Sequence, residues 1–258
     1  MALRLLADRR DELAGARTRT VSRLHRLLLE LIPGGAPRFL SATQAKALLA
    51  TVRPRDVAGR TRRQLAAELL ADIVALDRKL KDSDQRLKEA VAATGSGLPD
   101  LYGIGPVGAA RILGDVGDVA RFRTKAHFAS WTGTAPIDAS SGQQQRHRLS
   151  RAGNRRLNRV LHIMAIVQIR HDTQGRAYYR HKVAAGKTPM EALRCLKRRL
   201  SDAVFRQLTA DAATKAEAGP GGHSGATLKS SAASPTPAAD SSDKSLPGPA
   251  EQQPTPVP

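Results

Sequence analysis

The chain has 258 residues, with 42 Lys and Arg against 23 Asp and Glu and a formal charge of +19; 41% of it is hydrophobic but only 3% aromatic. A surplus of this size favours polyanionic partners, nucleic acid first among them. No apolar run reaches the ~18 residues that span a bilayer, and no signal-peptide core follows the basic N-terminus. The single cysteine, Cys195, excludes an intramolecular disulfide and a multi-cysteine zinc site. The expectation is a protein of the reducing cytoplasm, associated with the nucleoid and with no membrane partner.

Ala2 to Ile32 spaces Leu3, Leu6, Leu13, Val21, Leu24, Leu28 and Leu31 as a helix does, with arginines between them, and Pro33-Gly34-Gly35 stops it. Ser41 suits the N-cap of a shorter helix through Leu48 and Leu49. Leu69, Ile73, Leu76, Leu80, Leu87 and Ala90 then step by fours and threes, interrupted at Ser83. That is a coiled-coil seam pattern, which fits either a helix packed inside one domain or a true seam within or between chains. Gly95-Ser96-Gly97 closes this section, and a domain boundary is placed there.

Beyond the boundary, helices are expected around Val107 to Leu113 and Thr124 to Trp131, then an irregular polar loop from Gly133 to about Arg151, with room for short strands at its flanks. Val160 to Ile169 is apolar nearly all round apart from His162 and Gln168, which predicts a buried central helix with His162 as a core histidine. Thr188, Pro189 and Glu191 read as N-cap, N1 and N3 of a helix to Leu208. From Asp211 onward there is no aromatic residue and no Arg, and eight of the 15 prolines lie there, so a disordered tail is expected. The predicted fold is mainly α: a helical coiled-coil linker over 1–97, a small helical domain with a helix-hairpin-helix over 98–210, and the tail over 211–258.

Gly103-Ile104-Gly105-Pro106-Val107-Gly108 fits the formal pattern G-x-G-x-x-G, but no buried strand precedes it and no βαβ alternation surrounds it, so a dinucleotide site is set aside. The better match is a helix-hairpin-helix. There Gly103 and Gly105 would take positive φ and expose backbone amides, and the following helix would add its N-terminal dipole, a combination that binds phosphate without reading sequence. The competing reading is a tight turn joining two packed helices. In the polar loop, Ser140-Ser141-Gly142 precedes Arg146, His147, Arg148, Arg151, Arg155 and Arg156. A hydroxyl beside guanidinium groups can approach a phosphodiester while the arginines neutralise developing charge, although such arginines more often anchor phosphates. His147 suits a phosphate contact better than a base. Asp115 and Asp118 suit turn or capping roles better than a metal pair. Arg194 and Lys197-Arg198-Arg199 fit a basic face or plain solvated surface equally.

Taken in order, GIGPVGAARILGDVGDVARF, FASWTGTAPIDASSG and HRLSRAGNRRLNRVLHIMA resemble the C-terminal half of the transposases of bacterial insertion-sequence family one-ten, across about Leu98 to Leu208. The arginine-rich helices before them resemble that family's coiled-coil linker. The resemblance implies a serine nucleophile at Ser141, with Ser140 as the fallback, forming a covalent phosphoserine link to DNA. It implies nucleic-acid contacts from Gly103, Ile104, Gly105, Gly108, Arg146, Arg148, Arg151, Arg155 and Arg156. It also implies DNA and a structured guide RNA as partners, a homo-oligomer, and magnesium held by three Asp and one Glu of an N-terminal RuvC-like domain. That acidic set is not expected here: Asp8, Asp11, Glu12, Asp72, Asp77, Asp82 and Asp84 lie in helices amid arginines, as solvated faces or ion pairs. Two functions compete on this reading. One is a serine-dependent recombinase portion that needs an acidic domain from elsewhere. The other is a non-catalytic nucleic-acid-binding remnant. A purely structural helical protein would leave the arginine excess unexplained.

Overall fold

The computed structural model describes residues 2–140, 142, 147–148 and 152–217, and among these the chain is mainly helical. The leucines of the first segment form one helix, α1 (Ala2–Leu31), which ends at the Pro33 turn. Ser41 caps α2 (Ala42–Thr51) through a full capping box: Gln44 N donates to Ser41 Oγ, and Gln44 Oε1 accepts from Ser41 N at 2.9 Å. Asp56 accepts from Gly59 N and opens α3 (Val57–Ala92), a single 36-residue helix.

The predicted seam is filled from within the chain. Arg10 pairs with Asp84, Arg17 with Asp77 and Glu30 with Arg62, so α1 and α3 run antiparallel, and the first two pairs keep a seven-residue step on both helices. Ser83, the residue that interrupts the apolar seam, is itself buried. At the far end of this arm α2 closes a separate small core of Leu24, Leu28, Ala45, Leu49, Ala66 and Ile73.

The larger core lies at the base of the arm and crosses position 97, joining Ala7, Leu87 and Val91 to Leu98, Ile112, Phe128, Leu161 and Leu196. A 3-10 turn (Leu98–Asp100) leads through the glycine hairpin to α4 (Pro106–Val116), and α5 (Lys125–Trp131) follows, capped by Thr124. The polar loop carries two short strands, β1 (Ile137–Asp138) and β2 (His147–Arg148), paired antiparallel with Ile137 opposite Arg148. Then come α6 (Arg155–Arg170), α7 (Gln174–Ala184) and α8 (Pro189–Glu217). Thr188 and Glu191 make the predicted reciprocal cap of α8.

Two expectations are corrected. α6 is buried on one side only: Leu157, Leu161, Met164, Ala165 and Gln168 face the core, but Ile163 is 49% exposed and His162 is exposed as well. An apolar composition therefore did not mean burial all round, because α4, α7 and α8 cover only part of its circumference. The last helix also runs past Asp211, to Glu217, rather than stopping near Leu208. Asp211 accepts hydrogen bonds from Ser96 Oγ, Gly97 N and Gln207 Nε2, which ties this turn to the end of α3 and keeps it helical. The remainder of the predicted tail, 218–258, lies outside the described residues. No helix among the described residues is long and apolar enough to cross a membrane.

Candidate nucleic-acid interface

The hairpin is built by close backbone packing. Gly103 has φ of +92°, and a Cβ there would lie 3.1 Å from Met164 O and 3.3 Å from Met164 Cα on α6. A Cβ at Gly108 would meet Val160 Cγ1 at 3.3 Å, and Gln168 Nε2 donates to Tyr102 O at 2.9 Å. Ile104 is buried in the core, so its side chain faces the protein. Gly105 departs from the expectation of positive φ: it is extended, with φ of −88°, because it serves as N-cap of α4 with Pro106 at N1. It is also the member of this group whose missing Cβ leaves open space, with no atom within 4 Å. What the hairpin offers an anion is therefore the start of α4, whose first amides have no intrahelical acceptor. Gly103 and Gly108 serve packing.

The polar loop leaves α5 and returns to α6 through a tightly zipped stem. Asn154 N donates to Trp131 O at 2.7 Å, and Asn158 Nδ2 donates to both Thr132 O and Gly133 O at 3.0 and 2.9 Å. Gly153 is held so close that a Cβ would lie 2.5 Å from Trp131 O. Behind Asn158, Lys197 on α8 donates to its Oδ1 at 2.6 Å while only 7% exposed, and Thr132 Oγ1 meets Ser201 Oγ at 3.3 Å. Burial, then the nearby Arg155, hold the Lys197 ammonium below its ordinary pKa. Desolvation and Lys197 likewise lower that of His162. Lys197 is thus not part of an exposed basic face, and its neighbours are also engaged. Arg194 lies 3.9 Å from Glu191, Arg198 pairs with Asp202, and Arg199 stacks over Tyr178.

Ser141, Arg146 and Arg151 lie outside the described residues. Ser140 donates from its amide (2.9 Å) and its hydroxyl to Asp138 Oδ1, and these two bonds keep the Asp138 carboxyl below its ordinary pKa. His147 is exposed on β2, opposite Asp138. Arg148, Arg155 and Arg159 are exposed and make no ion pair among the described residues. Arg156 is committed, donating to Asp8 at 2.6 Å.

Asp8 and Asp11 also bind the buried Arg111, at 2.6 and 2.7 Å, and Asp115 lies 3.7 Å from the same guanidinium and accepts from Asn154 Nδ2. Arg111 is the main cause of the lowered pKa of Asp8. This cluster of carboxylates is therefore occupied by a cation of the protein's own, and among the described residues no group of His, Cys, Asp and Glu has the proximity to hold a metal ion. The described residues do not fit a divalent-metal centre. Asp118 caps a 3-10 turn through Ala120 N.

α4 and α6 lie antiparallel: Gly103 sits at Met164, Gly108 at Val160, and Asp115 at Asn154. The hairpin and Arg155 are therefore nine residues of helix apart, about 14 Å at 1.5 Å per residue. Exposed Arg159 lies between them on α6. Sequence reasoning missed Asn154, Asn158 and Lys197 as the clamp of the loop stem. Asn154 was legible as an N-cap, since it precedes the apolar run of α6, but the burial of Lys197 had no local signal.

Residues 97–180, which span the hairpin, the polar loop and α6, match the family described as Transposase IS116/IS110/IS902. The chain is 27% identical over 252 residues to a 44.8 kDa protein of insertion element IS116 from Streptomyces clavuligerus, an alignment covering 80% of this chain and 63% of that one. It is 38% identical over 112 residues to a 43.6 kDa protein of insertion element IS110 from Streptomyces coelicolor, covering 43% and 28%. It is 32% identical over 165 residues to a probable family 20 transposase of Pseudomonas aeruginosa, covering 59% and 46%. The chain thus spans less than two thirds of the length of these relatives. Through residues 97–180 it is similar to the IS116/IS110/IS902 transposase family.

Proposed function

We propose that the chain binds nucleic acid in the transposition of an insertion element, and that Ser141 is the nucleophile of strand cleavage and exchange. The observation that carries the reading is the coincidence of the family match with one structural unit: the α4 N-terminus, the clamped serine loop, and Arg148, Arg155 and Arg159, which have no ion-pair partner among the described residues. On this reading the arginines and the α4 amides hold phosphates, and the zipped stem fixes where the loop leaves the body. Ser141 Oγ attacks phosphorus, a serine phosphodiester forms, and the displaced sugar oxygen leaves with a proton; the reverse attack by a sugar hydroxyl of a second strand frees the serine. No step is assigned to a metal, because the cluster of Asp8, Asp11 and Asp115 is occupied by Arg111. The divalent ion and guide RNA implied by the resemblance belong to a larger assembly containing an acidic domain.

The test separates binding from cutting. The purified chain is expected to bind DNA or structured RNA with an affinity that falls at least about tenfold between 50 and 200 mM salt, and to cut neither with or without magnesium. Supplied with an acidic partner domain from a relative, it is expected to form a protein–DNA adduct that Ser141→Ala abolishes while binding is retained. Salt-independent binding would remove the nucleic-acid reading. An adduct that survives Ser141→Ala would remove the serine.

A further inference from the structure

Charge is distributed unevenly along the helical arm. Residues 19–75, its distal part, contain ten Lys and Arg against four acids, Glu30, Asp56, Glu68 and Asp72, whereas residues 2–18 and 76–92, its proximal part, contain nine Lys and Arg against seven acids. Of these distal acids, Glu30 accepts from Arg62, Asp56 caps α3 through Gly59 N, and Glu68 accepts from Gln64 Nε2. Apart from Arg62, the cations of this part make no salt bridge among the described residues. Arg53 is held in place by donating to Ala50 O and Val52 O at the end of α2, and Arg60 by donating to Arg55 O. At the other end of α2, in the turn between α1 and α2, Phe39 is 83% exposed, with the Arg38 guanidinium 5.6 Å from its ring centre. In a chain with four phenylalanines, one displayed on a loop with Arg38 at its ring has no role in either core. On the same module, Arg63 Nε is buried without a hydrogen-bond partner at a groove of about 670 Å³ that Lys46 and Arg78 also line.

We propose that this part of the arm is a second nucleic-acid contact, one that takes a single-stranded segment: an unpaired base stacks on Phe39 with Arg38 at its phosphate, and Arg53 and Arg55, about 15 Å away at the other end of α2, meet phosphates further along the same strand. Exposed aromatic rings amid cations are the usual platform for unpaired bases, since every base has a π-face, whereas a duplex offers no free face to stack. The tip rests on the same nucleic-acid reading as the serine loop but is a surface independent of it. Asp8 and Asp11, where α1 meets α4, lie about 20 residues of helix from Leu31, so the two surfaces are roughly 30 Å apart. One chain would then hold a strand at two separated points, at the body and at the end of the arm.

The experiment measures the full chain binding a labelled 20-nucleotide oligo-dT and a 20-base-pair duplex across a salt series. Phe39→Ala is expected to weaken oligo-dT binding about tenfold and to leave the duplex unchanged. Arg38→Gln with Arg55→Gln is expected to flatten the salt slope for oligo-dT by about 1.4, some 0.7 for each phosphate no longer neutralised. These side chains pack in neither core, so an unchanged unfolding temperature is expected alongside. Crosslinking of 5-bromodeoxyuridine in the oligonucleotide should fall on the segment around Phe39. If both tip variants bind oligo-dT like the wild type while Arg155→Gln with Arg159→Gln weakens it, this proposal fails and the reading of the serine-loop surface stands. If the wild-type chain binds neither probe, both fail. If polyglutamate displaces oligo-dT in a manner needing Arg38 and Arg55 while Phe39→Ala changes nothing, the tip is a docking site for an acidic protein, and the proposal is overturned.

Discussion

Gly103 and Gly105 look alike in sequence and do different work. Gly103 combines a positive φ with close approach to the α6 backbone, so Gly103→Ala should cost about 1–3 kcal/mol of stability, visible as a lowered unfolding temperature. Gly105 has ordinary φ and open space in front of it. Gly105→Ala should cost less than about 1 kcal/mol, as a change from glycine at an N-cap, yet weaken nucleic-acid binding if a phosphate approaches the start of α4. Equal loss of stability in the two variants would place both glycines in packing alone. Lys197 makes a second residue-scale prediction. Burial lowers its folded pKa below the ordinary 10.5, so the unfolded chain binds the proton more tightly than the folded one. Stability should therefore rise with pH between the folded pKa and about 10.5. Wild type should gain relative to Lys197→Met as the pH climbs through that alkaline window; parallel stability curves from denaturant titrations would show that the site does not penalise the charge.

Among the elements, the caps were the most legible. Ser41 with Gln44 and Thr188 with Glu191 were readable because a cap is settled by four consecutive residues, and both are formed. The length of α8 was not readable, because its last two turns depend on a contact with residues more than a hundred positions away. Asp211→Ala, which removes the acceptor for Ser96, Gly97 and Gln207, should reduce stability by about 1–2 kcal/mol and increase amide exchange over 209–217. Unchanged exchange there would mean that the helix holds itself. The partner of the α3 seam was likewise open in sequence, since heptad spacing shows an apolar stripe and not what covers it. The ladder of Arg10 with Asp84 and Arg17 with Asp77 identifies α1, although pairs this exposed contribute alignment more than energy.

For the whole molecule, the charge excess becomes informative only once pairing is known. Arg111 and Arg156 are absorbed by Asp8 and its neighbours, Arg121 lies over the rings of Phe122 and Trp131, and Lys197 is buried in the loop stem. Among the remaining cations, Arg148, Arg155 and Arg159 are exposed on the loop-bearing body, and Arg38, Arg53 and Arg55 on the distal part of the arm. If Arg155 and Arg159 each neutralise one phosphate, replacing both with glutamine should lower the salt slope for duplex DNA by about 1.8. An unchanged slope would move the interface off α6.

The sequence by itself determined the mainly helical class, the helix caps, the positive charge of the folded part and the order of hairpin, serine loop and arginine-rich helix. All of these are properties of neighbouring residues or of simple counts. Only the tertiary structure decided which arginines are paired inside the protein, that Gly105 is extended, that His162 faces outward and that Lys197 clamps the loop stem from behind. Each of those depends on what a distant part of the chain brings to within hydrogen-bond reach, and the energy of a buried charge or a close backbone approach is set by that surrounding rather than by the residue's own identity.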